Sequence, residues 1–234
     1  MRGPIVLIGS GEFTPAMEAV DRELLAATGR RDPRVAIVPT AAAPAGEAAF
    51  LRLAEQGRQH FRALGAEVET VPVRTRADAD DLACAQAVGE ADLIHLCGGD
   101  PAFLYEALAG TAVERALHVA AERGAIVAGC GAGAMVLADR QAHLWRRRPV
   151  PGGWAPALGF VPRVAVIPEY DALPETLLLA VVLMPPWSGA VVGIDRQTTL
   201  IGRDGSWQVL GHGRVTIWRG RRRSRHHDGE TMRL

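Results

Sequence analysis

The chain has 234 residues, 48% of them hydrophobic, with 26 basic and 26 acidic side chains and hence a formal charge of zero. That length and apolar share support one sizeable core in a single domain. No apolar run reaches the ~20 residues needed to cross a bilayer. The start, Met1-Arg-Gly-Pro4, lacks the charged region, long apolar run and cleavage site of a signal peptide, so a cytoplasmic protein with no membrane partner is expected.

Every basic residue is an arginine, and six of them (Arg219, Arg221, Arg222, Arg223, Arg225, Arg233) fall in the last sixteen positions beside two acids. The expected division is a domain over residues 1–218, carrying 20 − 24 = −4, and a basic, disordered tail over 219–234, carrying 6 − 2 = +4. No aromatic residue interleaves the tail arginines, so stacking on bases has no support and a nucleic-acid partner is not expected. Cys84, Cys97 and Cys130 are an odd set without metal-ligand spacing, which predicts reduced thiols packed as small hydrophobes.

In chain order, Pro4 to Ile8, Val35 to Val38, Val68 to Val73 and Asp92 to Cys97 are short, β-branched-rich runs bounded by turn residues. Between them, Ala16 to Ala27, Gly46 to Leu64 and Ala77 to Val88 place apolar residues three and four apart, as helices do. Thr111 to Arg123 predicts a further helix with Thr111 at its cap. The alternation argues a mostly parallel sheet covered on both faces by helices. Arg140 to Pro156, with three consecutive arginines and three prolines, reads as a loop. Phe160 to Ile167 reads as a strand, and Pro174 to Met184 as a buried helix ended by Pro185-Pro186. From Ala190 to Trp218, turns at Asp204-Gly205 and Gly211-His-Gly213 separate three or four short strands, predicting an antiparallel edge.

The centre of the pattern is Gly124 to Ala138. An apolar run, Ile126 to Ala128, meets Gly129-Cys130-Gly131 and then a helix start of small residues. Strand, sharp turn and helix in that order make a nucleophile elbow. A working elbow carries serine or cysteine at its vertex, and the vertex here is Gly131. Three glycine-rich turns follow strands: Gly9-Ser10-Gly11, Gly98-Gly99-Asp100 and Gly129-Cys130-Gly131. Parallel sheets bind ligands beyond the carboxyl ends of their strands, so all three are expected on one edge, with Glu12 and Asp100 facing it.

Gly-Cys-Gly-Ala-Gly-Ala-Met around this bend resembles the Gly-x-Ser-Ala-Gly-Ala elbow of the cyanophycinase and aspartyl dipeptidase (dipeptidase E) family of serine peptidases. Four more segments carry the resemblance: Val6-Leu-Ile-Gly-Ser-Gly-Glu-Phe13, Leu93-Ile-His-Leu-Cys-Gly-Gly-Asp-Pro101, Val166-Ile-Pro-Glu-Tyr-Asp171 and Gly193-Ile-Asp-Arg-Gln-Thr-Thr-Leu200. It implies an α/β three-layer sandwich with a mostly parallel sheet, like class I glutamine amidotransferases (flavodoxin-like), and a homodimer. It also implies a serine–histidine–glutamate triad, whose positions fall on Gly131, Glu169 and Arg196. All three are replaced.

Because Glu169 and Arg196 exchange the expected signs, they are expected to pair across the site. Cys130 is the one candidate substitute nucleophile, although a side chain just before an elbow vertex normally faces into the fold. His95, in a buried strand, and His143, in the loop, are read as structural. The oxyanion frame survives as the amides of Gly99 and Ala132. With Asp100 and Arg196 they form the candidate binding set, for a small carboxylate or acidic peptide. No metal and no cofactor is proposed: Glu12 and Asp100 do not make a metal site, nor do His226 and His227. The first reading is a pseudoenzyme. The alternatives are an active peptidase or amidohydrolase using Cys130 or another nucleophile, and a structural subunit of a heteromer.

Overall fold

The computed structural model describes residues 2–142, 153–174 and 188–234. Five parallel strands form the centre: β1 (Ile5–Ile8), β2 (Arg34–Val38), β3 (Glu67–Thr70), β4 (Leu93–Leu96) and β5 (Ile126–Cys130). They run in the order β1-β5-β4-β2-β3. β1, β4 and β5 are buried along their whole length, as strands covered on both faces must be. Alternation within β1 shows the two faces directly. Val6 and Ile8 pack with α1 (Glu18–Ala27) and α2 (Glu47–Ala63). Ile5 and Leu7 face the other side, where α3 (Leu82–Glu90), α4 (Pro101–Leu108), α5 (Ala112–Arg123) and α6 (Ala132–Leu137) lie.

The caps explain the helix bounds. Thr111 caps α5 by accepting from the Glu114 N–H, and Gly124, at φ 106°, ends it. The helix expected from Ala77 is interrupted: Asp78–Asp80 form a 3₁₀ turn, and Asp81 caps α3 by accepting from Ala83 N–H. α4 was not expected from the pattern. Asp100 starts it, accepting from Ala102 and Phe103 N–H at 2.9 and 3.0 Å, with Pro101 at its first turn.

After α6 the chain builds a second sheet. The loop expected over Arg140 to Pro156 is bounded by strands instead: β6 (Ala138–Ala142) pairs with β7 (Trp154–Pro156), and residues 143–152 lie outside the description. Six strands run in the order β13-β12-β9-β8-β6-β7, with β8 (Val161–Pro168), β9 (Ala190–Ile194), β12 (Arg214–Arg219) and β13 (Arg222–His227). The helix expected over Pro174 to Met184 falls almost wholly outside the described residues. The antiparallel edge is present: β10 (Thr198–Arg203), β11 (Ser206–Gly211) and β14 (Thr231–Arg233) extend the first sheet beyond β1.

The disordered tail expected over 219–234 is corrected. Residues 222–227 pair with β12 and residues 231–233 with β11, because each of those strands otherwise presents an open row of backbone donors and acceptors. Among the described residues no helix is long and apolar enough to cross a membrane.

Candidate functional site

β5 ends at Cys130 and α6 begins at Ala132, so Gly131 alone makes the reversal, at φ 52°, ψ −108°. Its N–H donates to the Ile8 carbonyl (3.0 Å) and its carbonyl accepts from Met135 N–H (3.1 Å). The flanking glycines are dictated by contact. A Cβ on Gly129 would lie 2.4 Å from the Gly133 carbonyl carbon, and one on Gly133 would lie 2.1 Å from the Leu96 carbonyl oxygen. Gly131 differs: a Cβ there meets nothing nearer than Gly98 Cα at 3.8 Å. The vertex has room for a side chain and carries none.

The three glycine turns meet as expected. Gly9, Ser10, Gly11 and Glu12, then Gly98, Gly99 and Asp100, then Cys130, Gly131 and Ala132 line one cavity of about 1010 Å³. Arg52 and Gln56 of α2, Gln141 of β6 and Glu169 complete its polar wall. None of these α2 and β6 residues carried a signal in the sequence, since their place depends on how distant elements dock. Gly99, at φ 141°, sits so close to Ala41 that a Cβ would lie 2.2 Å from its carbonyl oxygen. No described residue accepts from the Gly99 or Ala132 N–H. Asp100 also lines the cavity, but its carboxylate already accepts from the Ala102 and Phe103 N–H groups as the cap of α4.

The expected Glu169–Arg196 pair is not formed. Arg196 donates from its backbone N–H and its Nε to the two carboxylate oxygens of Asp171, at 2.9 and 3.0 Å. It is not among the residues lining the cavity, whereas Glu169 is. The reason is local. Glu169 takes a left-handed conformation (φ 50°, ψ 40°) before the 3₁₀ turn Tyr170–Ala172, which turns Asp171 toward Arg196. Tyr170 anchors that turn. It is buried against Gly193, where a Cβ would lie 2.1 Å from the ring, and its hydroxyl accepts from Trp218 Nε1–H at 2.8 Å. Tyr170→Phe should therefore cost about 1 kcal/mol, measured as a shift in denaturant midpoint at constant slope.

Burial raises the Asp171 carboxyl, but the N–H donors and charge of Arg196 outweigh it and hold the group below the ordinary carboxylate range. A lowered folded pKa adds stability that is complete above the unfolded value of about 4. That stability is lost as pH falls through the lower folded value. Unfolding free energy measured from pH 6 downward should thus fall less steeply below about pH 4 in Asp171→Asn than in the wild type.

Among the residues lining the cavity, Ser10 and Cys130 are the nucleophile-type side chains. Neither has an imidazole hydrogen-bond partner among the described residues. Cys130 is buried, and burial pushes its thiol well up, with the charge of Glu12 adding to it. His95 is 1% exposed and bound to Glu12. His143 lies outside the described residues.

A mostly parallel α/β sheet, an elbow of this geometry and an amide-lined cavity beyond the strand ends define a peptidase-type hydrolase scaffold. The pattern of peptidase family S51 matches residues 5–209, and the chain belongs to that family. It is 30% identical to a peptidase from an acI-B1 Actinobacterium of known crystal structure, with a TM-score of 0.88 over 100% of this chain and 98% of the other. A putative peptidase E protein from Listeria monocytogenes EGD-e shares the fold at 16% identity, with a TM-score of 0.66 over 91% of this chain and 100% of the other. No curated protein sequence matches the chain. The three-layer, flavodoxin-like fold implied by the resemblance is the fold found.

Proposed function

We propose that this chain is a non-hydrolytic member of its peptidase family that binds a small carboxylate or acidic peptide in the cavity at the elbow. One observation carries the reading: the vertex that should present the attacking atom is Gly131, in an otherwise intact elbow backbone. The burial of Cys130 and the engagement of Arg196 by Asp171 support it, since the one sulfur faces into the fold and the third position carries a cation already paired elsewhere.

The ligand's carboxylate would meet the Gly99 and Ala132 N–H groups and Arg52, not Arg196. Glu12 and Asp100 already accept hydrogen bonds from the chain itself, which leaves Glu169 for a cationic group. A peptide with a free amine therefore suits this wall better than a bare dicarboxylate. The homodimer implied by the resemblance belongs to the same proposal, and light scattering of the purified protein tests it.

Wild-type protein incubated with aspartyl dipeptides should release no amino acid above the buffer blank, and Cys130→Ala should behave identically. The same dipeptides should raise the unfolding temperature, and Arg52→Ala should reduce that rise. Turnover that vanishes in Cys130→Ala would establish an active cysteine hydrolase instead. Silence in both assays would leave only a scaffolding role.

A further inference from the structure

Beside the cavity, and apart from the three replaced positions, a second group of side chains has ligand chemistry. His95 and Cys97 lie two residues apart along β4 and its continuation, which puts both on the face covered by α1 and α2. Glu12 reaches them from the turn after β1. Its Oε2 is 3.1 Å from His95 Nε2, and with the Cys97 sulfur these make three ligand atoms all within 4.8 Å of one another. The other Glu12 oxygen accepts from Gly98 N–H at 2.9 Å, which fixes the direction of the carboxylate. His95 and Cys97 are 1% and 0% exposed, whereas Glu12 reaches the cavity wall. His95 Nδ1 is buried without a hydrogen-bond partner.

We infer that Glu12, His95 and Cys97 bind one divalent transition-metal ion of the zinc class, through a carboxylate oxygen, Nε2 and Sγ, with a fourth position open on the cavity side. Carboxylate, imidazole and thiolate together are a donor set that Zn²⁺ and Co²⁺ accept and that Mg²⁺ and Ca²⁺ do not. Tetrahedral bonds of the usual lengths separate neighbouring ligand atoms by roughly 3.3–3.8 Å. The carboxylate and imidazole, 3.1 Å apart, must open by a few tenths of an ångström, and the sulfur, within 4.8 Å of both, must close by up to about 1 Å, both of them side-chain adjustments. On binding, the thiol proton leaves to water, and the neutral imidazole carries its one proton on Nδ1. Three protein ligands and one open position are the arrangement of a reactive zinc, not of a closed structural one. The assignment is independent of whether peptidase chemistry has been lost.

Co²⁺ titration of the full chain, stripped beforehand with a chelator, tests it by absorption. One equivalent should develop the visible bands of a four-coordinate site and a near-ultraviolet sulfur-to-cobalt charge-transfer band, both removed by Zn²⁺. Cys97→Ser should abolish the charge-transfer band, while Cys84→Ser and Cys130→Ser retain it. Glu12→Gln and His95→Gln should each weaken Co²⁺ at least tenfold. Circular dichroism checks that each variant is folded. Should one fail, zinc-edge X-ray absorption of the wild-type protein, showing a single sulfur among light-atom neighbours, decides in its place. A wild-type protein without the charge-transfer band, or a band that persists in Cys97→Ser, overturns the inference.

Discussion

Gly133→Ala should destabilise the protein by about 3–5 kcal/mol, and Gly131→Ser, two residues away, by only about 1 kcal/mol. The methyl group at position 133 would be driven to 2.1 Å from the Leu96 carbonyl oxygen and 2.8 Å from its carbon. These are backbone atoms of β4 within a fully buried strand, so no side-chain rotation relieves the contact. α6 would have to lift from the sheet, taking the buried Ala134, Val136 and Leu137 with it. At position 131 the added atom is in ordinary contact at 3.8 Å, and the remaining penalty is the positive φ. Urea unfolding of both variants checks the contrast. Equal losses would mean that the elbow is not held by close packing of α6 on β4.

The double variant Gly131→Ser/Glu169→His should hydrolyse aspartyl dipeptides at least about 10²-fold faster than Gly131→Ser alone, the usual contribution of a general base. Serine at the vertex finds the backbone already bent for it and two amides without partners beside it. By itself it lacks a proton acceptor, so the single variant should match the wild type. Glu169 lines the same cavity, so an imidazole there is on the correct side of the sheet. Adding Arg196→Glu should lower the gain: it would set a carboxylate against Asp171, where an N–H···O bond of 3.0 Å now holds the segment. Release of amino acid, measured for all four proteins, decides. Equal rates in the single and double variants would place position 169 outside the catalytic geometry.

Much of this architecture was legible because strand and helix periods are local. β1, β2 and β4 and α1, α2 and α5 fall within a few residues of where the apolar spacing places them, and the three glycine turns converge as parallel connectivity requires. α4 does not stand out in the apolar spacing: its one signal is the Asp100-Pro101 start, and those residues also belong to the glycine turn at the strand end. The Glu169–Arg196 pair failed for another reason. Opposite charges at aligned positions say nothing about the backbone between them, and one left-handed residue handed Arg196 to Asp171. The grouping of Glu12 with His95 and Cys97 brings one residue to a pair 83 and 85 positions further along the chain, beyond any spacing rule.

The last strand pair gives the arginine run a physical meaning. β13 is the outermost strand of its sheet, and Arg222, Arg223 and Arg225 stand exposed along it. Repulsion between like charges keeps such a margin from zipping onto the same margin of another molecule. Self-association is therefore expected to use a different flank, and neutralising those guanidiniums should leave β13 open to pairing with a second copy, through the very segment that composition alone suggested was a loose appendage.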